Sequence, residues 1–146
     1  MSNFLLLNGP NLNLLGKRET KIYGKVSLKE IENNLSKFAK KKGHEIASFQ
    51  SNAEHDLVNK IHQAKELKIN CIIFNPGAFT HSSIALRDAL AGTELPFIEV
   101  HISNIYSRED FRQKSFLSDI AVGVISGLGV EGYKLALEVA IERYGK

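Results

Sequence analysis

Apolar positions along this chain follow two spacings that take turns. Phe4-Leu5-Leu6-Leu7, ending at Asn8, is a short solid apolar run, the pattern of a strand buried on both faces. Ser27 with Glu30 three residues on reads as a capping box, and Leu28, Ile31, Leu35 and Phe38 then mark one helical face. That helix closes at Lys40-Lys41-Lys42-Gly43, with cations in the last turn and glycine beyond it. Glu45–Gln50 reads as a second strand, and Glu54–Lys68 as a helix with Leu57, Ile61 and Ala64 on its apolar face. Asn70–Asn75 is a third strand, His81–Ala91 a helix, Pro96–His101 a fourth strand and Ile120–Ile125 a fifth. Val130–Tyr144 is the last helix, with Tyr133, Leu137, Ala140, Ile141 and Tyr144 on one side.

Five strands alternating with helices predict a mostly parallel sheet covered on both faces. Right-handed crossovers make that a doubly wound α/β sandwich, flavodoxin-like, with strand order 2-1-3-4-5. The chain of 146 residues fits one domain, 1–146, and is long enough to bury a core without staples. No repeat, linker or low-complexity block interrupts it.

Composition changes this picture little. Hydrophobic residues are 43% and charged residues 24%, so a disordered or collagen-like chain is excluded. The net charge of +3 is too small to argue for nucleic acid and suits an anionic small molecule equally well. One cysteine, Cys71, excludes an internal disulfide framework and reads as a buried small hydrophobe. No apolar stretch reaches the roughly 18 residues of a membrane span, and the start lacks a basic n-region, so a cytoplasmic protein is expected.

Ligands in such sheets bind beyond the carboxyl ends of the strands, so the residues after each strand matter most. Strand one is followed by Asn8-Gly9-Pro10-Asn11 and a long loop with Lys17, Arg18 and Tyr23. Strand three leads into Asn75-Pro76-Gly77-Ala78 and on to His81, Arg87 and Asp88. Strand four ends Glu99-Val100-His101-Ile102-Ser103 and runs through Arg108 to Arg112. These three strands sit together at the sheet centre, so one crevice collects proton-transfer groups and anion binders. That points to an enzyme acting on a carboxylate or phosphate. A nucleotide- or flavin-binding flavodoxin-like module is the alternative.

The segments Asn8-Gly9-Pro10-Asn11-Leu12-Asn13-Leu14-Leu15-Gly16, Arg18-Glu19 and Ile22-Tyr23-Gly24 resemble the signature of the type II 3-dehydroquinate dehydratases. Asn75-Pro76-Gly77-Ala78, Thr80-His81-Ser82-Ser83, Leu86-Arg87-Asp88-Ala89 and Glu99-Val100-His101-Ile102-Ser103-Asn104 are similar to its other blocks. So are Phe111-Arg112, Ser115-Phe116-Leu117-Ser118 and Gly127-Leu128-Gly129, in one register over essentially the whole chain. Thr20 stands where the family usually has proline, Phe79 where tyrosine is frequent and Gln113 where histidine is common.

The resemblance implies anti elimination of water from 3-dehydroquinate to 3-dehydroshikimate through an enolate, in aromatic biosynthesis. It implies no cofactor, no metal and no Schiff base. Base and acid work on opposite faces of the ring, so two residues are needed. By resemblance Tyr23 is the base, as phenolate, stabilised by Arg18 five positions earlier on the same loop, with Arg108 adding to this. A free tyrosine ionises only near pH 10, so a neighbouring cation is required. His101 is the acid, and Glu99, two residues earlier on the same side of the strand, can orient its imidazole. Asn11 is matched to the residue holding a water against the enolate oxygen. Ile102 and Ser103 are matched to the carboxylate-binding pair, and Asn75, His81 and Arg112 to the ring-hydroxyl binders. Arg108 and Gly77 are further members of the site. Asp88 is matched to a residue reaching the neighbouring subunit's site, within a homo-oligomer, a dodecamer of trimers. Neither nucleic acid nor membrane is an expected partner.

Competing signals fail on context. Gly127-Leu128-Gly129-Val130-Glu131-Gly132 fits G-x-G-x-x-G literally, but the strand and acidic residue that must follow are missing before Lys146. Those glycines are expected to serve a tight turn and close helix packing. A flavodoxin would want a hydroxyl-rich loop after strand one, and a receiver domain would want acidic residues where Asn8 and Asn75 stand. The histidines form no H-x-x-x-H pair that could seed a metal site.

Overall fold

The computed structural model describes residues 1–146 and contains a five-stranded, wholly parallel sheet. The strands are β1 (Asn3–Asn8), β2 (Glu45–Gln50), β3 (Cys71–Asn75), β4 (Phe97–His101) and β5 (Gly123–Ser126). Their order is β2-β1-β3-β4-β5, as expected. The helices are α1 (Thr20–Tyr23), α2 (Leu28–Lys41), α3 (Glu54–Glu66), α4 (Ile84–Thr93) and α5 (Glu131–Tyr144).

The alternation of side chains along each strand divides the interior into two cores. Phe4 and Leu6 of β1, Cys71 and Ile73 of β3, and Ile98 and Val100 of β4 face α2 and α5. Leu5, Leu7, Ile72, Phe74 and Phe97 face the other way, against Leu57, Ile61 and Leu86 of α3 and α4. Both faces are thus covered, which is why the central strands read as unbroken apolar runs. The edge strands β2 and β5 carry no buried residue.

Local signals place most boundaries. Ser27 caps α2, its hydroxyl accepting from the Glu30 amide at 3.2 Å, and Gly43 takes φ +83° just beyond its end. Three expectations need correction. The segment after β1 is not all loop, since α1 forms one helical turn at Tyr23. His81 lies outside α4, in the 3-10 turn Gly77–His81, because Ser83 caps the helix by accepting from the Leu86 amide at 2.9 Å. β5 begins at Gly123 rather than Ile120: the Ile120 and Ala121 amides turn back onto the Leu117 carbonyl. Their apolarity reflects packing on the α3/α4 core.

The chain leaves β1 for β2 on one side and β3 on the other, so β1 and β3 flank the topological switch point. There the two following loops nearly fuse. The Gly9 amide donates to the Asn75 carbonyl at 2.8 Å, and a Cβ on Gly9 would lie 2.2 Å from the Pro76 oxygen, so no larger residue fits. The G-x-G-x-x-G segment does the packing expected of it. A Cβ on Gly127 would lie 2.8 Å from Asn104 Cβ, and one on Gly132 would press on Ile125 and Val100.

Candidate active site

A cleft open to solvent lies beyond the carboxyl ends of β1, β3 and β4. It gathers the sequence-predicted residues Asn11, Arg18, Tyr23, Asn75, Gly77 and His81 from the first two rim segments. His101, Ile102, Ser103, Arg108 and Arg112 join them from the third. Two of the named residues are not in its wall. Glu99 is wholly buried beneath it, and Asp88 is exposed on α4, away from the cleft of its own chain.

β4 supplies the best-defined part. Glu99 and His101 alternate with Ile98 and Val100, so both project to the α4 side of the sheet. His101, 5% exposed, directs Nε2 onto Glu99 Oε2. A carboxylate only accepts, so Nε2 carries the hydrogen and Nδ1 is the nitrogen left for other work. Glu99 also accepts from Thr80 Oγ1 at 2.8 Å, Ser118 Oγ at 2.7 Å and Ser115 Oγ at 3.2 Å. Burial raises the Glu99 pKa, but the hydrogen bond and charge of His101 and the hydroxyls of Ser118 and Thr80 outweigh it. The carboxyl is held below its ordinary value and stays ionised at neutral pH. Sequence reasoning assigned no role to Thr80, Ser115 or Ser118. Their signal was present, since all three hydroxyls stand in the segments that carry the family resemblance.

Tyr23 reaches the cleft from α1. Its hydroxyl accepts from Arg108 Nη1 at 2.7 Å, and Arg108 also donates to Ser103 Oγ at 3.3 Å. The Arg18 guanidinium lies 4.9 Å from the ring centroid and pairs with Glu19. The sequence reading put Arg18 first and Arg108 second as cations for Tyr23. In the fold it is Arg108 that touches the oxygen, while Arg18 covers the ring.

The rest of the wall is oriented by hydrogen bonds. His81 Nδ1 faces the Lys114 carbonyl at 2.7 Å, so that nitrogen is the donor. Desolvation lowers the His81 pKa, which leaves the ring neutral near pH 7 with Nε2 as a bare acceptor. Arg112 donates Nε to Glu109 at 3.1 Å. Asn75 accepts the Gly77 amide at 3.1 Å and donates to the Tyr133 hydroxyl at 2.8 Å. Tyr133 in turn donates to Asn8 at 2.6 Å. Asn11 takes a left-handed backbone, φ 69°, with its amide donating to Asn52 Oδ1 at 2.9 Å. Gln50 donates to the Gly9 carbonyl at 3.1 Å beside it. Asn8, Gln50, Asn52 and Tyr133 were also missed. For Asn8 the clue was an amide side chain ending an otherwise apolar buried strand.

Together these groups offer a tyrosine with one arginine on its oxygen and another over its ring, a histidine backed by a buried carboxylate, and hydroxyl- and anion-binding groups beside them. That set can remove one proton, deliver another and hold a polyhydroxylated anion. No lysine lines the cleft.

Residues 2–141 match the family model described as dehydroquinase class II. The chain is 61% identical to the 3-dehydroquinate dehydratase of Thioalkalivibrio sulfidiphilus over 97% of its own length and 96% of the relative's. It is also 61% identical to that of Buchnera aphidicola, over 97% and 93%. Among solved structures, the type II dehydroquinase of Butyrivibrio crossotus superposes with TM-score 0.93 at 41% identity, covering 95% of this chain and 97% of that one. The type II dehydroquinase of Propionibacterium acnes gives 0.91 at 40%, covering 96% and 97%.

Proposed function

Because the chain belongs to the class II dehydroquinases and is a 3-dehydroquinate dehydratase of the shikimate pathway, we propose that Tyr23 is its base and His101 its acid. The reaction is the loss of water from 3-dehydroquinate to give 3-dehydroshikimate through an enolate. Tyr23, as phenolate, takes the proton alpha to the ketone, and the electron pair moves onto the ketone oxygen. Arg108 on the tyrosine oxygen and Arg18 over its ring carry the phenolate charge. A water held by Asn11 meets the enolate oxygen. The enolate then collapses, and the departing hydroxyl leaves as water with a proton from His101, whose imidazolium the Glu99 carboxylate stabilises.

Substrate holding divides among the remaining rim residues. The Ile102 and Ser103 backbone amides and the Ser103 hydroxyl take the substrate carboxylate. Asn75, His81 Nε2 and Arg112 take the ring hydroxyls, and Gly77 keeps its loop close enough for this. A Cβ on Gly77, at φ +59°, would lie 3.1 Å from the Pro10 oxygen, so the residue is constrained by the loop contact itself.

The observation that carries this reading is one cleft holding a tyrosine oxygen on an arginine and a histidine on a buried glutamate. The test is addition of 3-dehydroquinate with the ultraviolet absorbance of the conjugated enone as readout. Absorbance should rise, and activity should survive borohydride added with substrate, because no amine reaches the cleft. No absorbance, or borohydride inactivation, would refute the mechanism.

Asp88 is exposed on α4 and does not line its own cleft, and in this reading it serves a neighbour's in a homo-oligomer, a dodecamer of trimers. Exposed apolar residues support burial by other copies, among them Phe111 (67% exposed) and Leu128 (57%), with Val122 and Val124 beside and on the open β5 edge. Light scattering should give twelve copies. A fully active monomer overturns this. No helix is long and apolar enough to cross a membrane, and with Cys71 reduced and buried the cytoplasm is its proposed location.

A further inference from the structure

β1 and β3 pair in register so that Asn8 stands beside Asn75 at their carboxyl ends. Both side chains continue the Phe4–Leu6 and Cys71–Ile73 rows that face α5. Tyr133, in the first turn of α5, sits between them with no exposed surface. Asn75 donates to its hydroxyl, and that hydroxyl donates to Asn8. Of these three side chains only Asn75 lines the cleft.

The direction of this chain is fixed from one end. The Gly77 amide can only donate, so it holds Asn75 Oδ1 on its own side and sends Nδ2 toward Tyr133. A phenol has one hydrogen, and Tyr133, having accepted from Asn75, passes it to Asn8 Oδ1. The Asn8 Nδ2 atom is left buried without a partner. Reversing the chain would give Nδ2 of Asn8 a partner. It would also set Asn75 Nδ2 against the Gly77 N–H, donor on donor, and leave the Asn8 oxygen empty. Burial raises the Tyr133 pKa, so the group remains a neutral phenol.

We propose that Tyr133 is a positioning residue: the Gly77 amide sets the direction of the Asn75 amide, and Tyr133, anchored by Asn8 behind it, holds that amide at the place and angle at which it meets the substrate. With Oδ1 on Gly77 and Nδ2 on Tyr133, Asn75 keeps one N–H and one lone pair uncommitted. A ring hydroxyl can use both, provided the amide cannot flip. This rests on the reading of Asn75 as a ring-hydroxyl binder.

The test is steady-state kinetics with 3-dehydroquinate on Tyr133→Phe, Asn75→Ala and the double variant, with thermal melts of each. Phenylalanine keeps the ring in the core and removes only the hydroxyl. KM should rise about tenfold in Tyr133→Phe with kcat within about twofold, as expected for loss of a ground-state contact. In the Asn75→Ala background the same substitution should raise KM no further. A lower melting temperature with unchanged KM, or a KM effect that multiplies in the double variant, would mean that Tyr133 is structural and overturn the proposal. Unchanged KM in Asn75→Ala alone would instead refute the assignment of Asn75. If Tyr133→Phe does not fold, Asn8→Ala replaces it. That residue never reaches the cleft, so a several-fold KM rise that vanishes without Asn75 supports the chain, and unchanged KM overturns it.

Discussion

The proposed acid and the proposed base of this site are mounted in opposite ways. His101 and Glu99 stand at the end of a central strand, 5% and 0% exposed, and three hydroxyls lock the carboxylate. Tyr23 rides on a four-residue helix with no buried residue, entered through Glu19 at φ 41° and left through Gly24 at φ 79°. Its side chain is half-buried, and its hydroxyl is held by Arg108 from a segment 85 residues away. The His101–Glu99 pair is organised by the core before substrate arrives, whereas Tyr23 depends on cations that meet only when two exposed loops do. Defects on the acid side should therefore appear in stability as well as rate, and defects on the base side in rate alone.

The largest expected effect is that of Tyr23→Phe. It keeps the ring and deletes the reacting oxygen, so kcat should fall by about 10³-fold or more with the melting temperature unchanged. Near-normal turnover would show that Tyr23 is not the base. Next come Arg108→Ala and Arg18→Ala, each expected to lower kcat by about 10²-fold. Neither should add much to Tyr23→Phe, because no phenolate is left to stabilise. Additive losses would place the arginines on the substrate instead.

Glu99→Gln should lower kcat by about 10-fold to 10²-fold and also lower the melting temperature, which breaks the symmetry between the two halves. Its pH dependence sharpens the point. The Glu99 pKa is lower in the folded protein than the ordinary 4.5. Its contribution is then complete above about pH 4.5 and is lost as pH falls through the lower folded value. Acid unfolding of the wild-type protein followed by circular dichroism should therefore be steeper below pH 4.5 than that of Glu99→Gln. Equal slopes would remove Glu99 from the account. The smallest effect belongs to Thr20→Pro. Thr20 is the first residue of α1, a position that suits proline, but Glu19 before it is left-handed at φ 41°, which a following proline disfavours, so the two effects offset and stability should change by less than about 1 kcal/mol in thermal melts. A larger loss would mean that the Thr20 amide or backbone angle is needed.

Most of the architecture was legible because it is local or periodic. The capping of α2 at Ser27, the solid runs of β1 and β3 and the Glu99–His101 alternation are each written within a few residues. The exceptions have local causes too. α1 is a single turn, too short for any period to show, and Ile120 and Ala121 are apolar because they pack on a core, not because they lie in a strand. Ser83 displaced the start of α4 from His81 because a hydroxyl accepting from the third amide onward defines a helix start more firmly than an apolar face does.

The sequence by itself determined the parallel sheet, its order, the strand ends that form the cleft and the residue types that occupy it. These follow from burial periodicity and from the rule that loops after central strands converge. Only the tertiary structure decided which polar groups meet: Arg108 rather than Arg18 on the Tyr23 oxygen, Thr80, Ser115 and Ser118 around Glu99, and Tyr133 between Asn8 and Asn75. Side-chain hydrogen bonds between segments up to 125 residues apart leave no period in the sequence. Their partners and polarity are set by where each donor and acceptor comes to rest once the two cores have closed.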